Sequence, residues 1–346
     1  MSSAGHWCAW ARRSDAALVV LVLAVSAALG GCGRARDAAG AVPVRLGFYA
    51  NVNHGVALVG LDRGYFQQVL GPGARLEARS FVGGGDVITG IAAGELDLAY
   101  VGPGPAVNAI AHGAELRIVA GASEGGAALV ARADLPIRRV ADLAGRRVVV
   151  PTLAGTQDIC LRRLLAEQGL RDSAEGGTVE ILHAPPTDLK ALLTAHHADA
   201  ALVAEPWPSR LLADASPPVR VVLNWRQIWR RGHYPSTVLI ASNRFLARHP
   251  DLVSRWMRGH ELGLRLLRTR PEESIVAINH VLKRELGKPM PPATLRAAMA
   301  NVRYVSALDR GTLAAFVDLM RSCGYLDHPL ATAALVSAPA RVEAGA

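Results

Sequence analysis

The residues best suited to chemistry lie in glycine-rich turns between strands and helices. From Val148 the chain reads VVVPTLAGTQDICLRRLLAEQGL. A β-branched run stops at a proline, and a small polar stretch, Gly155-Thr156-Gln157-Asp158, follows. A helical pattern comes next, with Leu161, Leu164 and Leu165 on one face and Gly169 as its stop. Thr156 is placed to cap this helix. Gly83-Gly84-Gly85 and Gly102-Pro103-Gly104-Pro105 open two further helices, and proline suits a first helical turn. Each such start leaves unpaired backbone N–H groups and the positive end of a helix dipole. Three of them converging would hold an anion.

Signatures of catalysis are sparse. The sequence has no G-x-x-x-x-G-K-[ST] phosphate loop and no G-x-S-x-G elbow. GGGDVITG lacks the dinucleotide fingerprint. His260-Glu261 has no second histidine at metalloprotease spacing, and His196-His197 falls at a predicted helix end. We therefore expect no enzyme, no catalytic residue, no metal and no cofactor.

The 346 residues are 51% hydrophobic and 19% charged, enough for two lobes or domains. The formal net charge is +9, carried almost wholly by arginine. The densest run, RWMRGHELGLRLLRTR, alternates with apolar residues at helical spacing, so we assign it to the solvated face of an amphipathic helix, not to nucleic acid. At the N-terminus, Arg12 and Arg13 precede AALVVLVLAVSAALGGC. The apolar part is about fourteen residues, short for a membrane span. Leu29-Gly30-Gly31-Cys32 resembles a bacterial lipobox, which makes residues 1–31 a signal peptide and Cys32 the lipidated first residue. An uncleaved membrane anchor is the alternative. Residues 32–41 read as a tether. Cys160 and Cys323 are expected in different lobes and unbridged.

From Val42 strands and helices alternate with short links, which implies parallel sheets covered on both faces. GGAALVAR crosses into a second series, and PSTVLIASN crosses back. Residues 42–125 form the first part of lobe 1, 126–236 form lobe 2, and 237–346 complete lobe 1. From Arg244 onward the pattern is almost entirely helical, and these helices are expected to pack back on the first lobe. Ligands bind such sheets beyond the carboxyl ends of strands.

Several segments occur in a telling order: NVNHGVALVGLDRGYF, FVGGGDVITGIAAGELDLAYVGPGPAVNA, RIVAGASEGGAALVAR, DLAGRRVVVPTLAGTQDICLRRLLAEQGL and AEPWPSRLL. Together they resemble the ABC-transporter solute-binding proteins for aliphatic sulfonates, nitrate and taurine (NMT1/THI5-like), sulfonate-type branch. The resemblance runs from about Val42 to the C-terminal helices. It implies a type II periplasmic-binding-protein fold, an α/β architecture of two lobes joined by two crossings around a ligand cleft. Carried over by segment, the pocket would hold Asn51, Asn53, His54, Gly84, Gly85, Gly102 and Pro103 from lobe 1. Thr156, Gln157, Asp158, Glu205 and Trp207 would face them from lobe 2. Gly55-Val56 departs from the family, where Ala-Pro is frequent. Asp158 also suits a purely dipolar role, Trp207 an interlobe core, and Glu205-Pro206 a hinge. The implied function is capture of a small anionic solute, an aliphatic sulfonate foremost, by an exported, membrane-anchored, monomeric lipoprotein facing the periplasm or cell exterior. The solute would pass to an ABC permease. Taurine, nitrate, bicarbonate and thiamine precursors are the alternative solutes, and a pyrimidine-synthase-like enzyme the alternative class.

Overall fold

A computed structural model describes residues 40–337 apart from 215, 230, 231 and 308. The signal peptide, Cys32 and most of the tether lie outside the described residues. The body begins at Val42. Lobe 1 starts with β1 (Val42–Tyr49), α1 (Gly55–Asp62), α2 (Tyr65–Leu70), β2 (Ala74–Phe81), α3 (Gly84–Ala92), β3 (Leu98–Val101), α4 (Pro103–Ala111) and β4 (Leu116–Gly125). Lobe 2 comprises β5 (Ala127–Arg132), β6 (Arg147–Val150), α5 (Thr156–Ala166), β7 (Glu180–His183), α6 (Leu189–Thr194), β8 (Ala200–Ala204), α7 (Trp207–Asp214), β9 (Val219–Asn224) and α8 (Trp225–Ile228). The chain then returns through β10 (Pro235–Ser242), α9 (Asn243–Arg248), α10 (Pro250–Thr269), α11 (Pro271–Leu286), α12 (Pro292–Ala300), β11 (Val302–Tyr304), α13 (Arg310–Ser322) and α14 (Thr332–Leu335).

Each lobe holds one sheet, ordered β11-β4-β10-β3-β1-β2 and β7-β6-β8-β5-β9. The inner strands are buried along their length, as in β3 and β8, because helices cover both faces. The sheets are mixed, which corrects the parallel expectation. β1 pairs in parallel with β2 and β3, and β6 with β7 and β8. The crossing strands β5 and β10 run antiparallel to their neighbours. A strand that enters directly from the other lobe, with no crossover helix, arrives in the opposite direction.

The arginine-rich run forms the solvent face of α10. Its other face buries Leu252, Val253, Trp256, Met257, Leu264 and Leu267 at helical spacing. His260 is a core residue, bonded through Nδ1 to the Tyr100 hydroxyl at 2.9 Å. Among the described residues no group of three His, Cys, Asp or Glu side chains could hold a metal ion.

The last long helix departs from expectation. α10 and α11 pack on lobe 1, but α13 leans on α5 of lobe 2. Its buried face (Leu313, Phe316, Val317, Met320) joins a cluster that includes Ile159 and Leu161 as well as Val107 and Ile240. The Phe316 and Trp229 rings lie 5.7 Å apart. Helical spacing marks an apolar face without saying which lobe supplies its complement. Cys323, at the end of α13, packs against the same cluster as Cys160. Both thiols are free, and burial pushes that of Cys160 up to about 12.

One joint is built twice. In lobe 1, Asp97 just before β3 accepts from the Arg45 backbone N–H (3.0 Å), Nε (2.8 Å) and Nη2 (3.0 Å). In lobe 2, Asp199 just before β8 accepts from the Arg147 backbone N–H (2.9 Å) and Nη2 (3.1 Å). Both pairs span 52 residues and pin one strand edge to its parallel neighbour. Removing either carboxylate leaves a strand-edge N–H unpaired beside an arginine that is about a third exposed. Asp97→Ala and Asp199→Ala should each lower unfolding stability by roughly 1–3 kcal/mol in urea titrations. A loss below about 1 kcal/mol would make the joint ornamental.

Candidate anion-binding cleft

Between the lobes lies a cavity of about 90 Å³. Lobe 1 contributes Tyr49 at the end of β1, the Asn51–His54 turn and the starts of α3 and α4. Lobe 2 contributes the Pro151–Gln157 turn, Ala204 and Trp207, and β10 brings Ser236 and Thr237. Among its lining residues there is no Lys, Arg, Asp or Glu.

Of the residues expected at this site, Asn51, Asn53, His54, Gly84, Gly102, Thr156, Gln157 and Trp207 come together around the cavity. Gly85 sits one residue further into α3 and does not line it. Pro103 faces a separate space of about 20 Å³ behind β10, beside Ser123. Asp158 is fully buried and turned away. It accepts from the Ala154 N–H (2.9 Å), Arg162 Nε (3.3 Å) and the Tyr325 hydroxyl, so it ties α5 to the segment after α13. Glu205 is also outside the lining. Its carboxylate accepts from Ser209 N (3.1 Å), Ser209 Oγ (3.0 Å) and, across the lobes, Asn301 Nδ2 (2.8 Å). Trp207 lines the cavity and also packs on the lobe 2 core, with the Arg210 guanidinium 5.2 Å from its ring centre.

The three glycine turns serve two different purposes. The amides of Gly84, Gly85 and Asp86 in α3, and of Thr156, Gln157 and Asp158 in α5, make no hydrogen bond among the described residues. Of these residues, Gly84, Thr156 and Gln157 line the cavity. The start of α4 is closed: Pro103 and Pro105 have no N–H, and Ala106 N donates to Gly102 O. Gly104 N donates to Thr156 Oγ1 across the cleft at 3.2 Å. Thr156 is thus the first helical residue, not the cap, which is Gly155. A Cβ on Gly104 would lie 2.9 Å from Thr156 N, so only glycine lets the two helix starts meet.

His54 is held neutral. Burial lowers its imidazole to about 3, and Nδ1 accepts the Tyr49 backbone N–H at 3.2 Å. The remaining proton sits on Nε2, a fixed uncharged donor. The ring lies 4.4 Å from that of Tyr49. The turn at Gly55-Val56 is anchored by Tyr304, whose hydroxyl donates to Val52 O at 2.8 Å. Three buried polar atoms on cavity-lining residues have no partner: Tyr49 Oη, Asn53 Oδ1 and Thr237 Oγ1. Sequence reasoning missed Tyr49, Ser236 and Thr237. A strand end and the returning crossing were the available signals.

A family model described as the NMT1-like family matches residues 37–273. A Brucella abortus (strain 2308) relative, named provisionally as a binding protein, is 25% identical over 295 residues, 84% of this chain and 88% of its own. The alkanesulfonate-binding protein of Xanthomonas axonopodis pv. citri, solved with MOPS bound, superposes with a TM-score of 0.73 at 22% identity, covering 87% of this chain and 99% of that one. The periplasmic nitrate-binding protein of Synechocystis PCC 6803 gives 0.71 at 16% identity, with 84% of both chains covered. The two-lobed α/β architecture is the periplasmic-binding fold.

Burial pushes the Glu205 carboxyl up to about 7, against three donors that favour its ionised form. The native state therefore holds this proton more tightly than the unfolded chain. Its contribution to stability is full below about pH 4.5 and is lost as pH rises toward about 7. Glu205→Gln should flatten the fall in melting temperature across that window. An unchanged pH profile would place the titration elsewhere.

Proposed function

Because the chain belongs to the NMT1-like family, we propose that it is the solute-binding component of an ABC importer and that its solute is a small organic anion, an aliphatic sulfonate foremost. The observation that carries this reading is the pair of open helix starts, α3 and α5, meeting across a cavity lined by neutral donors. A sulfonate stays ionised at physiological pH, so it needs stabilised oxygens rather than a proton partner. Amide N–H groups, the His54 Nε2–H and the free amide group of Asn51 supply that. The space of about 90 Å³ fits a headgroup with a short body; an empty apolar cavity of about 150 Å³ admits benzene.

Capture proceeds by closure. Lobe 1 and lobe 2 touch at Gly104 and Thr156, and anion contacts from both lobes favour that arrangement over an open one. The solute then passes to a membrane permease. Leu29-Gly30-Gly31-Cys32 supports export and lipid attachment at Cys32. The likeness of fold to alkanesulfonate- and nitrate-binding proteins supports binding over catalysis.

Titration calorimetry with ethanesulfonate tests the reading. Neither the ligand, the helix starts nor His54 changes charge between about pH 5.5 and 8.5. Glu205 titrates in that window and bonds across the lobes, so the clean measurement is in Glu205→Gln, where affinity should vary less than about threefold. A steep loss near neutrality, abolished in His54→Gln, would show that a charged histidine holds the anion. Separately, Cys32→Ala should abolish metabolic lipid labelling; normal labelling of that variant would overturn the anchor.

A further inference from the structure

A second space between the lobes, of about 320 Å³, shares no lining residue with the cleft. One wall is α7 of lobe 2, with Arg210 and Asp214. The other belongs to lobe 1, where α11 ends and α12 begins, with Leu282, Leu286, Lys288 and Met290. Helices α7 and α12 pack against each other. They are bonded at one end, where Asn301 after α12 donates to Glu205 before α7 at 2.8 Å. The groove lies at the other end of the pair, at Asp214 and the first turn of α12. The loop that closes it is held in shape. Asn279 accepts from Met290 N–H at 2.7 Å and donates to Met290 O at 2.8 Å, and prolines flank that methionine on both sides.

The floor of this groove is apolar. Leu282 and Met290 are buried, while Leu286 is 42% exposed. Covering such surface favours a ligand by roughly fourfold in affinity per buried methylene. Two cations join that floor, one from each lobe. Arg210 and Lys288 make no ion pair among the described residues. The Trp207 ring beside Arg210 leaves its charge in place. Asp214 is the carboxylate of the lining, and it accepts from Lys190 Nζ at 2.7 Å. The charge left over is therefore positive.

We infer that this groove is a second binding site, for a small amphiphilic anion: a carboxylate or sulfonate on an unbranched apolar body. The head meets Arg210 and Lys288, and the body covers Leu286 and Met290. The volume is that of a small-molecule pocket, which begins at about 300 Å³. Charge complementarity sets the sign of the head, because a cationic amphiphile would face two unpaired cations.

Octanoate is the probe, titrated by calorimetry into the full chain. One molecule per chain is expected. At roughly fourfold per buried methylene, octanoate should bind at least tenfold more tightly than butanoate. It should also bind at least tenfold more tightly than octylammonium. Leu286→Glu and Lys288→Glu each place a negative charge in the groove at an exposed position, which the fold tolerates. Either change should weaken octanoate at least tenfold and leave ethanesulfonate, the probe of the cleft, as in the wild type. Butanoate as tight as octanoate would overturn the apolar half of the proposal, and octylammonium as tight would overturn the anionic half. Octanoate binding undiminished in both variants would place it elsewhere and overturn the site, as would no binding at all. Failure of ethanesulfonate alone would bear on the cleft and not on the groove.

Discussion

Both lobes depend on the two backbone polar groups of Gly126. This residue follows β4 and precedes β5, where the chain first crosses. Its N–H donates to Asn301 O at 2.7 Å, just before β11 of lobe 1. Its carbonyl accepts from Glu205 N at 2.7 Å in lobe 2 and from Asn53 Nδ2 in the cleft. Asn53 in turn holds Ser236, at the start of the returning strand. One residue therefore gathers both crossings, the cleft and the Glu205–Asn301 bond. Breaking this knot would leave several buried groups unpaired at once.

The same knot explains why residues of the expected type take unexpected roles. Glu205 and Asn301 bond to each other and to the two sides of Gly126, which draws the carboxylate off the cleft. Asp158 is drawn off by Arg162 and Tyr325. Removing acidic groups leaves a cleft whose polar character comes from backbone amides, the side-chain amides of Asn51, Asn53 and Gln157, one neutral imidazole and hydroxyls. The positions of the N–H groups at the starts of α3 and α5 are set by strands and caps, not by mobile side chains.

The alternation of strand and helix was legible because each element carries its own period, and the glycine turns were legible because few residues serve there. What each turn does was not. Gly102-Pro103-Gly104-Pro105 and Gly83-Gly84-Gly85 look alike as helix starts, yet Gly104 spends its amide on Thr156 while Gly84 keeps its own. That difference depends on which lobe stands opposite, a fact of tertiary structure. For Asp158 and Glu205 the sequence left contact and a dipolar or hinge role both open, since a carboxylate at a helix start has two sides available; both turn away from the cavity. Tyr49 and Thr237 lie in strands, where facing follows from register, and register was beyond reading. The paired joints Arg45–Asp97 and Arg147–Asp199 had a sequence signal, an identical separation in the two halves, but only the sheets give that spacing meaning.

A cleft lined without charged side chains has a consequence for the medium in which it works. Mobile salt screens interactions between exposed charges over about 8–10 Å at moderate ionic strength. It has little hold on amide dipoles in direct contact with an enclosed ligand. A pocket built on lysine or arginine would bind tightly in dilute surroundings and weakly in concentrated ones. An anion held by amide dipoles in a cleft so lined would depend more on local geometry than on the screening of side-chain charge.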